Sequence, residues 1–328
     1  MLSIEELRRN YNSFAAANDF SGQNPKELYQ PLDYILALGG KQMRPLLLLM
    51  AAALFEEKSV EKAMPAAYAV ELFHNFSLIH DDIMDEAAVR RGKPTVHVKF
   101  GNSTAILSGD VMLVKAYQFL TETATDKLPA LIRIFNETAI GVCEGQQMDM
   151  NFESLSTVKL EEYIRMIELK TSILLHGAMK MGAIIAGASD NDAEYTAEFG
   201  RTMGIAFQLQ DDFLDSFGDE ATFGKRIGGD IVQNKKTFLF LKAMELGNDV
   251  EKEMLMHWYT TTVNAAQEEE KIVAVKSIFL SSGAVKAIES EIEKYRLMAE
   301  AAMNQVSATE KKKSSMLAFL NYIMQRKN

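Results

Sequence analysis

Apolar residues recur every three or four positions along most of the chain, and this spacing predicts amphipathic helices nearly throughout. Alternating Val, Ile and Thr, which would indicate strands, is scarce, and only six prolines interrupt 328 residues. The predicted helices cover residues 3–17, a segment ending near 38, a segment starting at 45, and 61–88, 103–122, 127–151, 158–175, 176–188, 192–217, 235–246, 249–265, 269–280, 283–305 and 309–325. The pattern predicts an all-α fold.

Two glycine-containing segments interrupt the helical pattern with polar sequence. Gly39-Gly40 ends the second helix, and residues 218–233, rich in Gly, Asp and Lys, are predicted to form a functional loop. No Pro/Ser-rich linker or low-complexity tract divides the chain. We therefore expect residues 1–328 to form one large helical bundle around a deep central cavity.

Composition narrows the function classes without naming one. Lys and Arg number 35 against 45 Asp and Glu, so the formal net charge is −10, which argues against a nucleic-acid binder. One cysteine, Cys143, cannot form an internal disulfide, and the charged start of the chain does not resemble a signal peptide. These features predict a cytoplasmic protein without stable membrane insertion.

Three carboxylates, Asp81, Asp82 and Asp85, follow a long apolar run. On a helix, Asp81 and Asp85 project from one face about a turn apart, where they repel each other unless a cation lies between them. Magnesium prefers such carboxylates when water and phosphate oxygens complete its shell. A basic loop at 90–94 follows, so the sequence predicts a metal-bridged diphosphate site.

A second cluster, Asp211, Asp212 and Asp215, repeats this spacing behind another apolar run and ahead of another basic loop. A single cluster would more often be an ordinary solvated helix face. Two copies are harder to explain in that way, because burying such clusters without a metal costs several kcal/mol per charge. The repetition favours a function that uses both.

Six motifs occur in the order typical of one enzyme family. They are GGKQMRP at 39–45, DDIMD at 81–85, RRGKPTVH at 90–97, Lys170-Thr171, FQLQDDFLD at 207–215 and GKRIGGDIVQNKKT at 224–237. On these motifs the chain resembles the trans-isoprenyl diphosphate synthases, also called the polyprenyl synthetase family. The resemblance implies an all-α isoprenoid synthase fold, a homodimer, and magnesium at three ions per active site, with manganese as a substitute.

The resemblance also implies roles for individual residues. The catalytic set would be Asp81, Asp82, Asp85, Asp211, Asp212, Asp215 and Lys170, with Asp81, Asp85, Asp211 and Asp215 as metal ligands. The allylic diphosphate would be bound by Arg90, Lys170, Thr171, Gln208, Lys225 and Lys235. Isopentenyl diphosphate, bound without metal, would meet Lys41, Arg44, His74 and Arg91. His80, His97 and Cys143 are expected to be structural, and the basic tail at 325–328 is a candidate cover for the substrate.

Product length is expected to depend on the residues just before Asp81. The family's usual stop, the fifth residue back, is Phe76 here, with Ser77 beside it and Phe73 a turn deeper. This predicts a product of fifteen or twenty carbons, with a slight preference for twenty. The alternatives are a longer-chain synthase, a terpene cyclase, or a non-catalytic subunit of a heteromeric synthase. The two complete aspartate motifs disfavour the last two.

Overall fold

The computed structural model describes residues 2–123, 126–155, 157–218, 227–264 and 266–324. Its helices are α1 (Ile4–Ala17), α2 (Lys26–Ala37), α3 (Met43–Phe55), α4 (Ser59–Met84), α5 (Val96–Phe100), α6 (Asn102–Thr121), α7 (Leu128–Ser154), α8 (Leu160–Ile167), α9 (Ile173–Ile185), α10 (Asp190–Phe217), α11 (Gly229–Val232), α12 (Phe238–Leu246), α13 (Asp249–Thr260), α14 (Glu268–Ser281), α15 (Ala284–Gln305) and α16 (Glu310–Met324). The all-α prediction is confirmed. Lys225 and the tail at 325–328 lie outside the described residues.

Two compact units share the chain. The first comprises Met1–Ile140, Leu174–Gly200 and Gln305–Lys313, and the second comprises Gly141–Ile173, Arg201–Asn304 and Ser314–Asn328. The first aspartate motif therefore belongs to the first unit and the second motif to the second unit. Whether the whole chain forms the expected single domain stays a prediction.

In the first unit, helix α4 packs against α3 and α6. Residues 45–54 of α3 are buried without exception, because a helix that is apolar on all sides belongs in a core. Helix α4 begins at Ser59 and ends at Met84, earlier at both ends than the predicted 61–88. Its end is fixed by Glu86, whose φ of 49° is left-handed, and by a hydrogen bond from the Ala87 N–H to the Asp82 carbonyl.

The loop after α4 contains a short ribbon that the sequence pattern did not predict. Strand β1 (Val89–Arg90) pairs antiparallel with β2 (Lys93–Pro94). The turn between them needs left-handed backbone at Arg91, with φ 52°, and at Gly92, with φ 73°. The ribbon gives the two arginines of this loop fixed backbone positions.

The second unit has its own apolar core. It includes Leu209 of α10, Ile231 of α11, Phe238 of α12 and Phe279 of α14, all nearly or fully buried. The predicted boundary between the helices 158–175 and 176–188 is misplaced. Helix α8 ends at Ile167, and a π-helical turn at Glu168–Ser172 joins it to α9. Among the helices that the structure describes, none is long and apolar enough to cross a membrane.

Candidate active site

The second aspartate of the first motif is a structural anchor. Asp82 is buried, with 1% of its surface exposed. Its two carboxylate oxygens share the single Nε–H of Arg90, at 3.0 and 2.8 Å, and Oδ1 also lies 2.8 Å from Arg90 Nη2. This ion pair fixes the first strand of the ribbon against α4. The predicted role of Arg90 in binding a diphosphate would therefore fall mainly to Nη1.

The other two aspartates of this motif lie at the end of α4. Asp85 is exposed and caps the helix, and its N–H donates to the Asp81 carbonyl at 2.9 Å. The carboxyl end of a helix carries partial negative charge, so two carboxylates there are unfavourable without a cation. The local electrostatics therefore favour cation binding at this end of α4.

A cluster of cationic side chains, the Arg44 pocket, lies in the same unit. Arg44 Nη1 lies 3.1 Å from His74 Nε2, and because a guanidinium can only donate, Nε2 accepts and the ring proton is on Nδ1. Arg44 Nε is buried and has no hydrogen-bond partner among the described residues. A buried donor of this kind is costly unless a ligand satisfies it.

Arg91 joins this pocket from the ribbon. A Cβ added to Gly40 would lie 2.7 Å from Arg91 Nη2, so the glycine leaves space for the guanidinium. Burial, followed by the charges of Arg44 and Arg91, holds the pKa of His74 well below its usual range. The structure thus brings together Arg44, His74 and Arg91, and it places exposed Lys41 next to Gly40.

Glu71 is a member of this pocket that sequence reasoning missed. Its carboxylate accepts a 3.3 Å hydrogen bond from Asn75 Nδ2. Burial raises the pKa of Glu71, while Arg44 and Arg91 oppose that rise. The pocket therefore contains one carboxylate that offsets part of its positive charge. No motif marked Glu71, because the arginines it faces are distant in sequence.

The second aspartate motif repeats the arrangement of the first. Asp212 is buried, and its carboxylate accepts hydrogen bonds from the Tyr163 hydroxyl and from Gln208 Nε2, the latter at 3.1 Å. Thr171 Oγ1 in turn donates to Gln208 Oε1 at 3.2 Å. Burial and then the neighbouring Asp230 raise the pKa of Asp212. Thr171 and Gln208 thus belong to one hydrogen-bond chain that ends on Asp212.

The last aspartate of this motif organises the segment after α10. Asp215 Oδ2 accepts a 3.0 Å hydrogen bond from the Asp230 N–H, and its carbonyl accepts from the Gly228 N–H at 2.6 Å. This contact holds the start of α11 beside the motif. Asp230 is a further acidic residue here, and the GGDIVQNKKT motif was the available signal for it.

Lys170 lies in the π-helical turn and pairs with Asp149 of α7 at 2.6 Å. Helix α7 can approach this closely because a Cβ on Gly145 would lie 2.2 Å from the Lys170 backbone nitrogen. Asp149 and Gly145 were not predicted as site residues. Lys235, also a predicted ligand, is half-buried after α11.

The predicted length-determining residues form part of an aromatic cluster. The Phe76 ring lies 5.6 Å from Phe73 and 4.8 Å from the His80 ring. His80 Nε2 lies 3.2 Å from the Ile106 carbonyl, in space that a Cβ on Gly109 would fill. His80 is thus packed between α4 and α6, where Nε2 also lies 3.8 Å from Asp110 Oδ1, and its structural role stays a prediction. Phe73 is fully buried, whereas Phe76 is partly exposed.

Ser77, the third predicted length-determining residue, is also partly exposed. Its hydroxyl donates a 2.8 Å hydrogen bond to the His74 carbonyl one turn back on α4. The small side chain is thus turned along its own helix. It adds little bulk beside Phe76.

The aspartates fit magnesium better than a permanent structural metal. Within the described ranges, no group of three or more His, Cys, Asp and Glu side chains is arranged to hold a metal ion by itself. Magnesium is commonly held by one or two carboxylates, with water and substrate phosphates completing its octahedral shell. Paired carboxylates separated by one helical turn suit that mode. The metal role of Asp81, Asp85, Asp211 and Asp215 stays a prediction.

Comparison with known proteins identifies the family of the chain. The family model described as polyprenyl synthetase matches residues 25–278, well over half of the chain. The chain belongs to the polyprenyl synthetase family. A crystal structure of a geranylgeranyl pyrophosphate synthase is 43% identical, covers 100% of both chains and has a TM-score of 0.95.

Two curated relatives with similar sequence identity to this chain have names that specify different products. The geranylgeranyl diphosphate synthase of Methanosarcina mazei is 41% identical and covers 75% of this chain and 77% of its own. The geranylfarnesyl diphosphate synthase of Natronomonas pharaonis is 37% identical and covers 76% and 78%. Overall similarity therefore identifies the family and does not determine the product length of this chain.

The two kinds of aspartate in the first motif can be separated by their effect on stability. Asp82→Asn removes the charged partner of Arg90 and is expected to lower the free energy of unfolding by about 1.5–3 kcal/mol. Asp85→Asn changes an exposed cap and is expected to alter it by about 0.5 kcal/mol or less. Urea unfolding with EDTA present measures both. Equal losses would show that Asp82 is not a structural anchor.

Gly145 and Gly141, one turn apart on α7, form a matched pair. Gly145→Ala places a methyl group on the Lys170 backbone and is expected to destabilise the protein by about 1–3 kcal/mol and to displace Lys170. Gly141→Ala meets only the side chains of Ile173 and Leu169 at 3.3 Å or more, so a smaller loss is expected. Urea unfolding distinguishes the two. Similar losses would contradict a special need for close approach at Gly145.

His74 predicts a specific pH dependence. Because its folded pKa lies below the unfolded value of about 6.5, the unfolded state binds the proton more readily. The stability that comes from keeping His74 neutral is fully present above pH 6.5, and the free energy of unfolding falls as the pH decreases below that value. NMR titration should show the His74 ring neutral where exposed histidines titrate. His74→Gln should reduce the loss of stability below pH 6.5, and an unchanged pH profile would contradict the assignment.

Proposed function

We propose that this protein is a prenyltransferase that joins isopentenyl diphosphate head-to-tail to an allylic diphosphate, namely dimethylallyl, geranyl or farnesyl diphosphate. The product would be a short all-trans prenyl diphosphate of fifteen or twenty carbons. One observation supports this more than any other. Arg44, His74 and Arg91 form a cationic cluster in which Arg44 and His74 are half-buried and Arg91 is exposed, and both arginines offset the charge of its carboxylate, Glu71.

That pocket suits a diphosphate bound without metal. The unpartnered Nε of Arg44 and the guanidinium of Arg91 can donate to phosphate oxygens, and neutral His74 accepts from Arg44 without adding charge. Lys41, at the turn before α3, would add an ammonium group. A site of this kind fits isopentenyl diphosphate, whose diphosphate is retained throughout the reaction.

The allylic diphosphate must leave, so its site needs stronger charge compensation. We assign magnesium-ligand roles to Asp81 and Asp85 of the first motif and to Asp211 and Asp215 of the second motif. Bound magnesium would supply Lewis-acid stabilisation of the departing diphosphate. The donors assigned to the allylic diphosphate are Lys170, Thr171, Gln208, Arg90, Lys235 and Lys225.

The remaining chemistry belongs to the substrates. The double bond of isopentenyl diphosphate attacks the allylic carbocation, and a proton then passes to the released diphosphate, so no side-chain base is needed. Apolar residues must exclude water, which would otherwise quench the cation. We further propose a cytoplasmic homodimer that uses magnesium, with manganese as a substitute.

Other functions predict different products. A terpene cyclase would need one diphosphate site and would leave the Arg44 pocket without a purpose. A non-catalytic subunit would have no need for two aspartate motifs whose buried members, Asp82 and Asp212, both have protein partners. A longer-chain synthase differs from this proposal only in its product.

Turnover tests the proposal directly. Purified protein is incubated with magnesium, isopentenyl diphosphate and one allylic diphosphate at a time, and products are identified by mass spectrometry. The proposal predicts linear prenyl diphosphates of fifteen or twenty carbons. Cyclic hydrocarbon from a single prenyl diphosphate would support a cyclase, and no turnover with any starter would support a non-catalytic subunit.

Phe76 is expected to limit chain growth. Phe76→Ala removes a partly exposed ring and should shift the product to greater length, because the growing chain can then extend past this position. Phe73→Ala is the control, since Phe73 is packed against Phe135 at 5.4 Å between ring centroids and should mainly cost stability, by about 3–5 kcal/mol. Mass spectrometry of the products of each variant measures their chain length. An unchanged product from a folded Phe76→Ala protein would contradict the role.

A further inference from the structure

One buried cation in the second unit has no role in the chemistry described above. Lys271 lies on α14, and its side chain is fully buried. It makes no ion pair with any residue in the part of the chain that the structure describes. A buried ammonium without a carboxylate partner is costly, so an apolar residue would stabilise the core better unless Lys271 has a specific contact to make.

The contact is with the segment that follows α11. Lys271 Nζ donates to the side-chain oxygen of Asn234, and the same ammonium lies 5.4 Å from the centroid of the Tyr259 ring. Asn234 has a φ of 58°, in the left-handed region that asparagine adopts more readily than most other non-glycine residues. The lysine therefore anchors this left-handed turn residue from inside the core.

Neighbouring contacts fix the same segment on both sides. The Lys235 N–H donates to the Asp230 carbonyl at 2.9 Å, and Lys236 Nζ donates to the Phe152 carbonyl at 2.8 Å. Lys235 lies between these fixed residues. Its own side chain makes no hydrogen bond or ion pair with the residues that the structure describes. Its backbone is thus positioned while its ammonium is available.

We propose that Lys271 is a positioning residue for the allylic diphosphate: by holding Asn234 in the left-handed conformation, it sets the place of Lys235. The inference rests on the proposed function, since Lys235 is there a ligand of the leaving diphosphate. A lysine serves better than an apolar residue because only a donor can hold the Asn234 amide. The aromatic face of Tyr259 lowers the cost of its burial.

The first test replaces Lys271 by a residue of similar length without a donor. In Lys271→Met, the Michaelis constant for the allylic diphosphate should rise about tenfold, as expected for one lost charged hydrogen bond. The constant for isopentenyl diphosphate should stay within about twofold. Lys276→Met, on the same helix and in contact with the Phe217 ring, is the matched control and should change neither constant. Equal changes in both constants, or none, would overturn the proposal.

The second test isolates the turn. Asn234→Ala should reproduce the effect of Lys271→Met, whereas Asn234→Gly, which adopts positive φ without strain, should restore much of the affinity. In the Asn234→Gly background, Lys271→Met should have little further effect, because both act through one contact. Fully additive effects would show that Lys271 acts elsewhere.

A third measurement does not depend on turnover. Hydrogen exchange of the backbone amides in residues 229–237 should be faster in Lys271→Met than in Lys276→Met or the wild type. Unchanged exchange would overturn the positioning role even in an active enzyme. Faster exchange in a protein without turnover would support the role of Lys271 and refute the proposed function, so the two failures are distinguishable.

Discussion

The burial of one carboxylate in each aspartate motif is the constraint on which the candidate site depends. A buried carboxylate must be satisfied by protein partners, and Asp82 and Asp212 both are. Asp82 anchors Arg90 and with it the ribbon that carries Arg91, while Asp212 gathers Tyr163 and Gln208. In each motif the second residue is thus held by protein partners, and the metal role of the first and fifth residues stays a prediction.

A local cluster of positive charge explains how an acidic chain can bind anionic substrates. A net charge of −10 would repel a diphosphate if it were spread evenly. Instead, Arg44 and Arg91 are concentrated at one place, where half-buried Arg44 is less screened by solvent than a fully exposed side chain, and burial with the two arginines lowers the pKa of His74. Glu71 balances the arginines when no anion is present. Local arrangement therefore outweighs total charge.

The sequence predicted the helices and the motif residues well, because helical periodicity and short motifs are local signals. The ends of α4 and the π-helical turn at Glu168–Ser172 were missed, since backbone contacts to Asp82 and the close approach of Gly145 decide them. The partners Tyr163, Asp149 and Glu71 were missed for the same reason. Each lies far along the chain from at least one group that it contacts, and no pattern in a single sequence links them.

Contacts between residues far apart in sequence also affect the predicted determinant of product length. Relatives of nearly equal identity have names that differ in the product, so overall similarity does not determine product length. Phe76 is one candidate, yet its ring rests on His80, and His80 fits only because Gly109 lacks a side chain. A substitution at Gly109 would move His80 and then Phe76. The identity of residue 76 is therefore an incomplete guide to product length, because the position of its ring is set from helix α6.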